Sequence, residues 1–103
     1  MFVNMPKQAL EAVQAVIGHH SNVQSVILYG SRAKGKAKQG SDIDLALTGS
    51  QLSFAEMLAI ETELDALNLP YYFDLSIYRQ IANPALLEHI DRVGQIILER
   101  TSA

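Results

Sequence analysis

A chain of 103 residues, 49% apolar and 18% charged, has the size and balance of one small globular domain spanning 1–103, which excludes a disordered or fibrous class. Its net charge of −3 argues against generic or direct nucleic-acid binding, and the absence of cysteine removes disulfide frameworks and thiolate metal sites, in keeping with a cytoplasmic protein. No run approaches the ~18 apolar residues of a membrane span, and Met1-Phe2-Val3-Asn4 lacks the basic start and apolar run of a signal peptide.

In chain order, the first predicted element is a helix over residues ~5–18, in which Ala9, Leu10, Val13, Val16 and Ile17 recur at helical spacing and Gly18 is the stop. His19-His20-Ser21-Asn22 is a connector. Val23–Tyr29 carries the apolar run Val26-Ile27-Leu28-Tyr29, suited to a buried strand that ends at Gly30. A short helix is expected from Ser31 to about Lys36, then a turn at Gln39-Gly40-Ser41, and then a strand over Asp42–Leu47. Ser53-Phe54-Ala55-Glu56 forms a capping box that opens a helix with Phe54, Met57, Leu58, Ile60, Leu64 and Leu67 on its apolar side.

Asn68-Leu69-Pro70 breaks that helix, and Tyr71–Tyr78 alternates as a strand, with Tyr71, Phe73, Leu75 and Ile77 on one face. Asn83-Pro84 starts a last helix, Asn as N-cap and Pro at the first position. Its expected apolar side is Leu86, Leu87, Ile90, Val93 and Ile97. The order α-β-(α)-β-α-β-α describes one α/β domain of three strands.

The chemistry concentrates between residues 30 and 44. Side chains alternate along a strand, so Asp42 and Asp44 project to one face about 7 Å apart, while Ile43, Leu45 and Leu47 point to the core. Two neighbouring carboxylates are costly unless a cation sits between them. Hard Mg²⁺ bound by one or two carboxylates plus substrate phosphate oxygens resolves that cost. The Gly30-Ser31 turn is the natural holder of such a phosphate. Four of the eight basic residues, Arg32, Lys34, Lys36 and Lys38, follow it directly and suit an anion-attracting loop better than a merely solvated one.

Asp74 stands in the middle of the apolar run Tyr-Tyr-Phe-Asp-Leu-Ser-Ile-Tyr, where a carboxylate is paired, metal-bound or at an exposed sheet edge. If its strand lies beside Asp42–Leu47, three acids converge, and two metal ions among them could activate an attacking oxygen and stabilise a leaving pyrophosphate. A rival P-loop reading of Gly30–Ala37 fails because Ala37 stands where a Ser or Thr hydroxyl should reach Mg²⁺, and because Lys38-Gln39-Gly40-Ser41 is turn-like where a long helix should run. The histidines carry no ligand spacing: His19-His20 falls in the connector, and His89 is expected on the polar, surface side of the last helix. Tyr71, Tyr72 and Tyr78 are read as packing residues.

Gly30-Ser31, ten residues, then Asp42-Ile43-Asp44, with a later strand acid at Asp74, resembles the polymerase-β-like nucleotidyltransferase superfamily. The compact size is similar to its minimal members, the MNT proteins of HEPN–MNT toxin–antitoxin pairs. The resemblance implies a palm-like α/β (α+β) fold, a small mixed sheet of three or more strands flanked by helices. It also implies Asp42, Asp44 and Asp74 as metal-binding catalytic residues, and Gly30 and Ser31 holding a triphosphate with support from Arg32. Mg²⁺, most simply two ions, and ATP as substrate come with it. So does a helical HEPN-type partner protein, which the chain either adenylylates on a hydroxyl or masks without turnover, as an antitoxin in both cases; a homo-oligomer is compatible with either. The 49% apolar share and the lack of an acceptor-gripping helical domain after Asp74 point to such a partner.

Overall fold

The computed structural model describes residues 5–30 and 42–100. The short helix and turn expected over residues 31–41 lie outside the described residues, and Ser31 and Arg32 with them. Within them the elements are α1 (Lys7–Ile17), β1 (Ser25–Tyr29), β2 (Ile43–Thr48), α2 (Phe54–Asp65), β3 (Phe73–Ile77), a 3₁₀ turn (Tyr78–Gln80), α3 (Pro84–Val93) and β4 (Gln95–Glu99).

The helix starts follow their local chemistry. The Ser53 hydroxyl accepts from the Glu56 amide at 3.1 Å, and Asn83 Oδ1 accepts from the Ala85 amide at 2.9 Å, with Pro84 in the first turn where no amide proton is needed. Glu56 does not return its carboxylate to the cap. It accepts instead from the Asn22 side chain at 2.9 Å and pairs with His20 Nδ1 at 2.9 Å. His20 Nε2 lies 2.7 Å from Glu63, so the connector after α1 is clamped onto α2 by one imidazole between two carboxylates.

The strands form one mixed sheet in the order β3-β2-β1-β4. β1 runs antiparallel to both β2 and β4, and β2 pairs in parallel with β3 across the α2 crossover. One face carries Val26, Leu28, Ile43, Leu45, Leu47, Phe73, Leu75 and Ile77, buried against Ala9, Val13, Val16 and Ile17 of α1 and Met57, Ile60 and Leu64 of α2. The opposite face holds a smaller cluster of Tyr29, Ala46 and Ile90, with Ile27, Tyr78, Ile81 and Leu86 packed around it. α3 therefore covers part of the face to which the acidic residues project.

Among the described residues the sheet has four strands, one more than the three read along the chain and in line with the three or more that the resemblance implies. Ile97, expected on the last helix, lies in β4 and packs against the main core. The cause is Gly94, which leaves the helix for extended backbone (ψ 143°) and hands the chain to the β-branched pair Ile96-Ile97. A side chain at Gly94 would meet Ile27 Cγ2 at 2.7 Å and collide with the Ile90 carbonyl, so the turn into β4 needs a residue without Cβ. Arg100 closes the arrangement by donating to the carbonyls of Val23 (2.7 Å), His20 (3.2 Å) and Ile17, the last at the carboxyl end of α1 where a cation is favoured.

Candidate active site

Sheet register assembles the site. Antiparallel pairing sets Tyr29 of β1 opposite Asp44 of β2, and parallel pairing sets Asp74 of β3 opposite the same Asp44. Tyr29, Asp44 and Asp74 thus form a row across three adjacent strands, and alternation within each strand keeps that row on the α3 side. Asp42 lies one residue before β2, exposed, two positions from Asp44 and on its face. Asp74 is exposed, whereas Asp44 is half-buried.

Crowding has an electrostatic signature. Burial first, then the negative charges of Asp74 and Asp42, push the Asp44 carboxyl up to about 6. The Tyr29 hydroxyl, buried and 3.5 Å from Ser76 Oγ, is also raised, by burial foremost, against the opposing Ser76 hydrogen bond and with help from Asp44 and Asp74. A half-buried Asp44 that resists ionisation, beside two further carboxylates, offers the oxygen donors that suit a hard divalent cation. Among the described residues, however, no group of three or more His, Cys, Asp or Glu side chains is drawn together closely enough to hold a metal ion.

Gly30, immediately after β1, adopts a left-handed backbone with φ 77°. A Cβ there would collide with Asp44 Oδ2, so the turn passes against the carboxylate at a distance open only to glycine. The structure therefore brings Gly30, Asp44 and Asp74 together, with Asp42 near enough to be felt by Asp44. Ser31 and Arg32 are not among the described residues.

His89 is the residue that sequence reasoning missed. It is not a surface histidine but half-buried on α3, where its Nε2 accepts a hydrogen bond from the Gly30 amide at 3.1 Å. Its ring meets Tyr29 edge-to-face, centroids 6.2 Å apart. A signal existed: Leu86, His89, Ile90 and Val93 fall at i, i+3, i+4 and i+7, which places His89 on the stripe facing the sheet. His20, which the sequence pattern places in a plain connector, pairs with Glu56 and Glu63.

A family model described as "Polymerase beta, Nucleotidyltransferase" matches residues 11–103. No match is found among curated proteins. Among solved structures, the chain is similar to one in a crystal structure of a toxin–antitoxin with AMP-PNP, with a TM-score of 0.68 and 22% identity over 88% of this chain and 73% of that one. A second, with a TM-score of 0.67 and 19% identity, covers 93% of this chain and 74% of the other, in a complex of tri-AMPylated Shewanella oneidensis HEPN toxin with MNT antitoxin. At such identities these two likenesses speak for the fold alone. A third, described as a candidate minimal nucleotidyltransferase, is 26% identical with a TM-score of 0.63 over 92% of this chain and 95% of that chain.

Proposed function

Because the chain belongs to the polymerase-β nucleotidyltransferase family, we propose that it transfers AMP from ATP to a hydroxyl of a helical HEPN-type partner and acts thereby as an antitoxin. The observation that carries this reading is the register that sets Asp44 beside Asp74, with Asp42 two residues upstream and Gly30 packed against Asp44. The choice of nucleotide and partner is taken over from two structures of like fold, a toxin–antitoxin with AMP-PNP and a complex with an AMPylated HEPN toxin.

In this reading Asp42, Asp44 and Asp74 hold Mg²⁺, whose charge would offset the three carboxylates and the departing pyrophosphate. The Gly30-Ser31 turn holds the triphosphate, Gly30 by permitting close backbone approach and Ser31 by its hydroxyl, with Arg32 in support. The partner's hydroxyl oxygen bonds to the α-phosphorus, the bond from that phosphorus to pyrophosphate breaks, and the hydroxyl proton passes to a carboxylate of the set. The half-buried position of Asp44 fixes the nucleotide against the sheet, while exposed Asp74 and Asp42 leave the site open toward a second protein.

A second reading, masking of the partner without turnover, draws on one observation: among the described residues the acids are not gathered into a three-ligand cluster. Incubating the purified chain and its genomic neighbour with α-labelled ATP and Mg²⁺ separates the two. Transfer adds about 329 Da to the partner per AMP, whereas a fully inhibited but unmodified partner supports masking.

A further inference from the structure

The clamp on Gly30 has two sides. On one, the Asp44 carboxylate occupies the space a Cβ would need. On the other, the Gly30 amide, one residue beyond the last β1–β2 register pair at Tyr29 and Asp44, donates to His89 Nε2. Accepting that bond requires an unprotonated Nε2, so His89 is held as the tautomer with its proton on Nδ1. The ring is fixed against Tyr29, itself only 6% exposed, and α3 is anchored by buried Ile90 and by the Tyr78 hydroxyl donating to Asp91 at 2.7 Å. The Gly30 peptide at the end of β1 is thus held by a helix that begins more than fifty residues later.

We propose that His89 is a positioning residue for nucleotide binding. By holding the Gly30 amide, it fixes the Tyr29–Gly30 peptide plane beside Asp44, and so couples α3 to the triphosphate site. This rests on the nucleotidyl-transfer reading above. His89 itself needs no contact with the nucleotide. Its contribution is preorganisation: a Gly30 peptide already held in place loses less conformational freedom when the phosphate arrives.

The test compares wild type, His89→Phe and His89→Gln. Phenylalanine keeps an aromatic edge against Tyr29 but cannot accept from Gly30, and glutamine restores an acceptor through its side-chain carbonyl. Calorimetric titration with ATP and Mg²⁺ is paired with hydrogen exchange at the Gly30 amide in the nucleotide-free protein. The expected result for His89→Phe is roughly tenfold weaker ATP binding, the loss that follows when a donor is left without its partner, together with faster exchange at Gly30. His89→Gln should recover most of both. Wild-type affinity in His89→Phe overturns the proposal, as does equal weakening in both variants, which would indicate packing alone. A wild-type protein that does not bind ATP overturns the underlying nucleotidyl-transfer reading, and is recognised before any substitution is compared.

Discussion

Gly30 leaves open the space that the Asp44 carboxylate fills: a Cβ at residue 30 would overlap Asp44 Oδ2, and the backbone there has φ 77°. A glycine turn and a half-buried acid are therefore packed as a unit. Gly30→Ala combines this collision with a left-handed backbone, and is expected to lower stability by about 1–3 kcal/mol. Chemical denaturation measures the loss, and ATP titration of the folded fraction should show weakened binding as well. Unchanged stability would mean that the turn tolerates a side chain and is not packed on Asp44.

The crowding at Asp44 predicts a trade of stability for function. Its carboxyl is raised to about 6 from an ordinary value of 3.8. A carboxyl raised on folding destabilises once ionised, so stability should fall as pH rises from about 4 to 6 in metal-free protein. Asp44→Asn removes that charge. In the presence of a chelator it is expected to stabilise the protein at pH 7 by about 1 kcal/mol, after discounting for partial solvent screening, and to flatten this pH slope. Denaturation midpoints at pH 4, 5, 6 and 7 for both proteins give the answer.

His20 predicts a slope with a different owner. Burial works against its charged form, but hydrogen bonds to Glu56 and Glu63 outweigh it and raise its pKa above 6.5. Its contribution is fully present below pH 6.5 and is lost as pH rises through the raised value. Glu56 is lowered, by Asn22 first and His20 next, so its share is lost as pH falls through that lowered value, below 4.5. The clamp is thus strongest between those two limits. A double-mutant cycle of His20→Ala with Glu63→Gln at pH 5.5 should give a coupling of about 0.5–1 kcal/mol that fades by pH 9. An equal coupling at both pH values would mean that the imidazole is held by packing and not by charge.

The sequence was informative wherever a local rule decides the outcome. Alternation alone placed Asp42 and Asp44 on one face and Asp74 opposite the buried Phe73-Leu75-Ile77 series. Ser53 and Asn83 announced their helix starts through their own side chains. The misses share a physical reason. Ile97 keeps the helical spacing of Ile90 and Val93, and only the close approach of Gly94 to Ile27 shows that the helix must end there. His89 finds its partner 59 residues away, and His20 finds its two carboxylates 36 and 43 residues away. Spacing puts His89 on the sheet-facing stripe of its helix, but the pairings themselves depend on strand order and helix docking.

The proposed transfer requires Asp42, Asp44 and Asp74 to form a site for ATP with Mg²⁺. Thermal unfolding of wild type and Asp44→Asn, each with and without ATP and Mg²⁺, tests it most directly. At a hundredfold excess over the dissociation constant, the ligands should stabilise wild type by about 2.7 kcal/mol. With such a site, Asp44→Asn loses most of this gain, even though the variant starts out the more stable of the two without ligand. An equal ligand-induced shift in both proteins would contradict it.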